Sequence, residues 1–210
     1  MTSHWIALKT KRIIDVIGSL LGLLLLSPFF ILAAIIIRLT SKGPAFYRQT
    51  RMGHLGKPFT FMKFRTMHAS GGEGIHKDYT RRFILGKVGK APVFKIVDDP
   101  RVTAVGRLLR RTSLDELPQL VNVLKGEMSL VGPRPPVPYE WEIYRPWHRQ
   151  RLMEATPGMT GLWQVTGRNT TSFNRMVRLD LKYARSWSLW LDLKILMKTP
   201  LAVVLGKGAC

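Results

Sequence analysis

VIGSLLGLLLLSPFFILAAIII, residues 16 to 37, runs for 22 residues without a charge and carries Ser27-Pro28 near its middle. A straight helix of that length rises about 33 Å, close to the hydrocarbon thickness of a bilayer. A proline at the midpoint removes one backbone hydrogen bond and crowds the preceding turn, so the helix bends or breaks there. The run alone leaves three readings open: a spanning helix with a kink, a core helix of a soluble protein, and a helix that enters one leaflet and turns back. The flanks favour the third. Lys9, Lys11 and Arg12 precede the run, and Arg38, Lys42, Arg48 and Arg51 follow it. A spanning helix biases its basic residues toward the cytoplasmic end, whereas here both ends are basic. Two arms of about 10 to 12 residues, each about 15 to 18 Å long, reach mid-bilayer without crossing. The Ser27 hydroxyl is placed to satisfy a carbonyl freed by Pro28. A cleaved secretory signal fits poorly, because the run is long, Arg38 closes it and no small-residue cleavage pattern follows.

The totals agree with a membrane-associated protein of one main domain. The chain has 210 residues, with 33 basic against 13 acidic side chains and a formal charge of +20. That imbalance calls for an anionic partner: nucleic acid, anionic lipid or a phosphorylated substrate. No helix-turn-helix, zinc-finger or RRM signature supports nucleic acid, and nucleic-acid binding leaves the apolar run unexplained. The lone Cys210 excludes an intrachain disulfide, and the scattered histidines have no zinc-ligand spacing.

Downstream, AFYRQTRM and PFTFMKFRTM flank GHLGK, which predicts a β-hairpin over residues 45 to 66. In its second strand Phe59, Phe61, Lys63 and Arg65 fall on one face. The glycines Gly71, Gly72, Gly74, Gly86 and Gly89 mark a flexible excursion with a short helix near 79 to 85, and they match no nucleotide-binding fingerprint. Val102, Val105 and Leu109 recur at helical spacing up to Arg110-Arg111. Ser113 stands three residues before Glu116, a capping-box spacing. A helix over 114 to 125 would bury Leu117, Leu120, Val121 and Leu124, with Pro118 distorting its first turn and Gly126 stopping it. Pro133 to Pro136 form a rigid non-helical segment. Two further helices are expected over 172 to 185 and 189 to 204, the second with Trp190, Leu193 and Met197 on one face. Tryptophan with lysine and arginine on such helices suits a membrane interface, and core packing is the competing reading.

Acidic residues are scarce, so their adjacency is informative. Asp98-Asp99 and Asp115-Glu116 are the adjacent acidic pairs, and the second lies among Arg107, Arg110, Arg111 and Arg134. One reading is purely structural: carboxylates in a first helical turn complement the helix dipole by about 0.3 to 1 kcal/mol. The other is chemical. A carboxylate pair supplies a nucleophile and a metal ligand, while arginines hold phosphate. Magnesium takes hard oxygen ligands and shares its shell with substrate phosphates, so two carboxylates suffice.

Ser27-Pro28, KFRTM at 63 to 67, TSLDELPQLVNVLKGEMSLVGPRP at 112 to 135 and TPGMTGLWQVTGRN at 156 to 169 together resemble the bacterial monotopic phosphoglycosyl transferases. These are polyprenyl-phosphate sugar-1-phosphate transferases that initiate exopolysaccharide and O-antigen assembly, and the chain is similar to their short form. The resemblance implies an α+β fold: residues 1–42 as a re-entrant membrane helix with basic flanks, and 43–210 as a catalytic domain with a small hairpin and interfacial helices. It implies Asp115 as nucleophile and Glu116 as its partner near Mg²⁺, with both as metal ligands. Ser27 and Pro28 would be the helix break, and Lys63, Arg65, Arg111, Pro133, Arg134 and Pro135 the substrate-binding residues. Its implied reaction passes sugar phosphate from a UDP-sugar to polyprenyl phosphate, with UMP released, at the cytoplasmic face of the bacterial inner membrane beside anionic lipids. A homodimer is compatible with it; no nucleic acid is implied. A non-catalytic basic membrane scaffold and a different lipid phosphotransferase are the competing functions. No short motif selects the sugar.

Overall fold

The structure is a computed structural model that describes residues 2–68, 74–87, 99–166 and 171–204. Its first two helices, α1 (Thr2–Leu25) and α2 (Ser27–Thr40), meet at a bend of 60°. Among the described residues no single helix is long and apolar enough to cross a membrane, whereas the bent pair passes that test together. The break follows from Pro28, which cannot donate to the Leu24 carbonyl. The Ser27 hydroxyl donates to that carbonyl instead, at 2.8 Å, so the break leaves no orphaned acceptor there. The expected compensation is therefore present.

The first arm is longer than the apolar run. Three charged residues continue α1 and fasten its lower half to the rest of the protein. Arg12 donates to the carbonyls of Val123 and Leu124 at 2.6 and 2.8 Å, capping the helix below it. Buried Asp15 accepts from the Leu130 amide at 2.9 Å and the Ser129 hydroxyl at 3.1 Å. Lys11 pairs with Asp192 at 2.6 Å. Two of the basic residues read from sequence as a membrane flank are thus structural ties. Above them, Gly18 and Gly22 let Leu130 and Leu120 approach α1 closely.

The hairpin forms as β1 (Phe46–Met52) and β2 (Pro58–Phe64), antiparallel, with Gln49 opposite Phe61 and Tyr47 opposite Lys63. A helix α3 spans Gly74–Ile84, longer than the short helix expected there; Gly71, Gly72 and Gly89 lie outside the described residues. Helix α4 (Ala104–Arg111) is capped by the Thr103 hydroxyl, which accepts from the Gly106 amide. The expected helix over 114 to 125 is split: a 3-10 segment, Leu114–Gln119, precedes α5 (Leu120–Lys125), which Gly126 ends at φ 85°. Leu120 is buried as expected, but Val123 and Asn122 take the deeper positions, with Leu117, Val121 and Leu124 only half-buried. The 3-10 turn shifts the helical phase, which moves the buried face by a residue.

Sequence pattern gave no hint of a second pairing. β3 (Ser129–Val131) runs parallel to β4 (Gly158–Thr160). A side chain at Gly132 or Gly158 would collide with backbone of the other strand, which explains both glycines. The remainder is helical: α6 (Pro138–Ile143), α7 (Pro146–Glu154), α8 (Leu162–Thr166), α9 (Phe173–Arg185) and α10 (Leu189–Val204). Here the tryptophans divide. Trp163 is buried, and Trp141, Trp147 and Trp187 pack partly buried against the core. Trp190 is exposed with Leu193, Met197 and Leu201, forming an apolar stripe along α10.

Candidate active site

The site begins at a strained residue. Ser113 adopts a left-handed conformation, φ 56° and ψ 16°, which costs an L-residue about 1 to 2 kcal/mol. An N-cap needs an extended backbone, so the expected capping box between Ser113 and Glu116 does not form, and the Ser113 side chain makes no cap bond. The Glu116 amide instead donates to the Ser113 carbonyl at 3.2 Å. This tight entry, followed by the Pro118-containing 3-10 segment, turns Asp115 inward until it is 6% exposed. Neighbouring Glu116 lines a narrow cleft with Arg51, Phe61, Gln119, Arg134, Pro135, Gly158, Met159 and Gln164.

Strand β2 brings a cation, Lys63, within electrostatic reach of the dyad. Burial lowers the Lys63 ammonium to about 8; Asp115 and Glu116 oppose that shift, and Arg110 and Arg51 add to it. Lys63 also lies 5.2 Å from the Tyr47 ring. Arg51, on the neighbouring strand β1 opposite Phe59, is buried, donates to the Pro135 carbonyl at 3.0 Å and lies 5.1 Å from the Phe61 ring. Burial and then Arg134 lower its guanidinium to about 10, so it stays cationic at neutral pH. Two strand residues thus bring positive charge to the dyad.

The Pro-Arg-Pro segment is clamped from both sides. The Pro133 carbonyl accepts from the Gly158 amide at 2.9 Å, and the Pro136 carbonyl accepts from the Met52 amide at 2.8 Å. This fixes Arg134 and Pro135 at the cleft and joins TPGMTG to the hairpin.

The remaining expected residues go elsewhere. Arg65 leaves the face shared by Phe59, Phe61 and Lys63; its guanidinium donates to the carbonyl and hydroxyl of Ser41 at 2.7 and 2.8 Å, beyond the end of α2. Arg111 is exposed at the end of α4, and it is Arg110 whose charge reaches Lys63. Ser27 and Pro28 stand at the helix break, and the residues just after them, Phe29 and Phe30, share a core with Phe64 and Leu114. Those two core residues directly follow Lys63 and precede Asp115, so the break and the dyad are mechanically joined.

Asp99 binds Arg101 at 2.6 Å, and Asp98 lies outside the described residues. Among the described residues no three His, Cys, Asp or Glu side chains gather as a metal cluster. Asp115 and Glu116 nonetheless offer hard oxygen donors, and a magnesium ion that completes its shell with substrate phosphates and water asks for little more.

Sequence reading named Arg110 only among the arginines around the dyad and Arg51 only as a basic flank, and it missed Gln119 and Gln164. The alternation Tyr47, Gln49, Arg51 against Phe59, Phe61, Lys63 was the available signal for Arg51. Gln119 and Gln164 come together only through the parallel pairing of β3 and β4.

The family described as bacterial sugar transferase matches residues 6–206. The galactosyl transferase CpsE of Streptococcus agalactiae is 45% identical over 208 residues, covering 99% of this chain and 44% of its own. The exopolysaccharide production protein ExoY of Sinorhizobium fredii is 42% identical over 200 residues, covering 95% and 88%. The UDP-glucose:undecaprenyl-phosphate glucose-1-phosphate transferase of Caulobacter vibrioides is 43% identical over 197 residues, covering 90% and 67%. The chain thus spans under half of one relative and most of another, and it belongs to the bacterial sugar transferase family.

Proposed function

We propose that the protein transfers a sugar 1-phosphate from a UDP-sugar to a polyprenyl phosphate, undecaprenyl phosphate in bacteria, and so starts assembly of an exopolysaccharide or related glycan. The observation that carries this reading is the Asp115-Glu116 dyad, with Asp115 buried, beside Lys63, Arg51 and Arg134 and joined through one core to the bent helix pair. A carboxylate that is already ionised at neutral pH is a nucleophile without a general base. Its difficulty is approaching a diphosphate, and the surrounding cations lower that repulsion.

In the first step a carboxylate oxygen of Asp115 bonds to the β-phosphorus as the bridging P–O bond breaks, and UMP leaves with the electron pair. In the second, a phosphate oxygen of the polyprenyl phosphate bonds to the same phosphorus and Asp115 is released. Lys63 holds the phosphates, and Arg51 and Arg134 face the nucleotide. Asp115 and Glu116 would hold Mg²⁺, which supplies charge neutralisation on the diphosphate.

The bent pair gives the lipid acceptor access to this site. Ile17, Leu20, Leu21, Leu24 and Leu25 on α1, and Ile31, Leu32, Ile35 and Ile36 on α2, are exposed and apolar. A helix pair entering one leaflet buries them and keeps the dyad on the cytoplasmic side, with the α10 stripe lying in the interface. Arg38, Lys194 and Lys198 then meet anionic headgroups.

The test is to incubate the full chain in bilayer discs with Mg²⁺, undecaprenyl phosphate and a panel of UDP-sugars. UMP should form together with a lipid-linked sugar diphosphate. Release of UDP instead would assign direct glycosyl transfer, and no product with any donor would favour a scaffold.

A further inference from the structure

Three residues that line the same cleft each carry a buried polar atom without a partner: Arg51 Nε, Gln119 Nε2 and Gln164 Oε1. Buried groups of this kind are normally satisfied, so three in one place point to a missing ligand. Gln164 is held by one end of its amide: its Nε2 donates to the Met159 carbonyl at 3.3 Å, which leaves Oε1 as the atom without a partner. Gln119 is 2% exposed. The cleft therefore presents two donors and one acceptor between apolar walls of Phe61, Met159 and Pro135. Its free space, about 10 Å³, is that of one water, so it takes the polar edge of a ligand and not a whole nucleotide.

We propose that Gln119, Gln164 and Arg51 read the uracil edge of the donor. This deepens, and rests on, the reading of the substrate as a UDP-sugar. Uracil's O2–N3–O4 edge carries two acceptors and one N–H donor, the complement of what the cleft offers. N3–H donates to Gln164 Oε1, and the two carbonyls accept from Gln119 Nε2 and Arg51 Nε. The ribose-bearing N1 is outside that edge, so the sugar and phosphates stay outside the cleft. Cytosine replaces the N3–H donor by a lone pair, which would face the Gln164 oxygen and be rejected.

Calorimetric titration of the full chain in bilayer discs with UMP and CMP tests this. The wild type should bind UMP at least about tenfold tighter than CMP, the size of effect expected for one mispaired buried group. Gln119→Met removes an atom with no partner in the protein, so it should fold normally while bringing the two affinities within about threefold. Gln164→Met should do the same, with its melting curve as the control for the lost Met159 contact. A preference for UMP that persists in both variants, or a wild type that does not discriminate, overturns the proposal. In either case UMP release from a UDP-sugar by the same preparation would show that the catalytic reading still stands.

Discussion

Two clusters of buried charge in this molecule are built on opposite terms. Behind the Pro-Arg-Pro segment, Arg151 pairs with Asp180 at 2.6 Å and donates to the Tyr144 hydroxyl at 2.9 Å. The Glu140 carboxylate accepts from that hydroxyl at 3.4 Å and from the Val137 amide at 3.2 Å. Burial pushes Asp180 up to about 6, still ionised at neutral pH beside its arginine. In the cleft, Arg51 has one carbonyl and a ring for company, and Lys63 is held below its ordinary value. Matched charges fix a structure; cations gathered without enough anions hold a place for a ligand's charge. Local conflict of this sort is expected where function overrides stability.

Breaking the matched cluster should do the greatest damage to the fold. Asp180→Ala leaves Arg151 buried without its carboxylate and should cost about 3 to 5 kcal/mol in chemical denaturation. Arg51→Met should show the converse. It removes a desolvated cation, so stability should hold or rise, while kcat/KM for UDP-sugar falls by about a hundredfold, the order expected for loss of a charged contact. Equal stability losses at Asp180 and Arg51 would erase the distinction between the clusters.

Lys63 sharpens the contrast through pH. In the free enzyme its cation is lost as pH rises through about 8, so kcat/KM should fall above that pH, and Lys63→Arg should flatten the decline. Folding moves the other way: the cost of burying the ammonium is full below about 8 and fades as pH climbs toward the ordinary lysine value of 10.5. A profile with no limb near 8 would detach Lys63 from the reaction. The smallest effect is expected at Ser113. Gly tolerates its left-handed backbone, so Ser113→Gly should stabilise by up to about 1 kcal/mol, less whatever the freer unfolded chain takes back. A destabilised S113G protein would mean that the side chain holds the turn.

Much of this was legible in the sequence because it is local. The Ser27-Pro28 break, the hairpin, the stop at Gly126 and the span of α10 each follow from a proline, a glycine or a period read over a few residues. Asp115 and Glu116 stood out because acids are rare here, and the ordered motifs tied them to a family. What failed was non-local or conformational. Ser113 has the spacing of a cap and a backbone that forbids one. Arg65 shares a strand face on paper, but beyond Phe64 the chain turns it to the end of α2. Lys11 and Arg12 look like a membrane flank and are bound to segments more than 100 residues away. The cleft itself depends on β3 and β4 pairing across a gap that no periodicity reveals.

The central claim is that Asp115 carries the sugar phosphate, and it can be read directly. Wild-type and D115N protein are mixed with a UDP-sugar and Mg²⁺ in the absence of polyprenyl phosphate, then examined by intact and peptide mass spectrometry. The wild type should carry a sugar-phosphate adduct on Asp115, discharged when undecaprenyl phosphate is added, and D115N should carry none. An adduct that persists on the Asn variant, or one mapped to another residue, would contradict it.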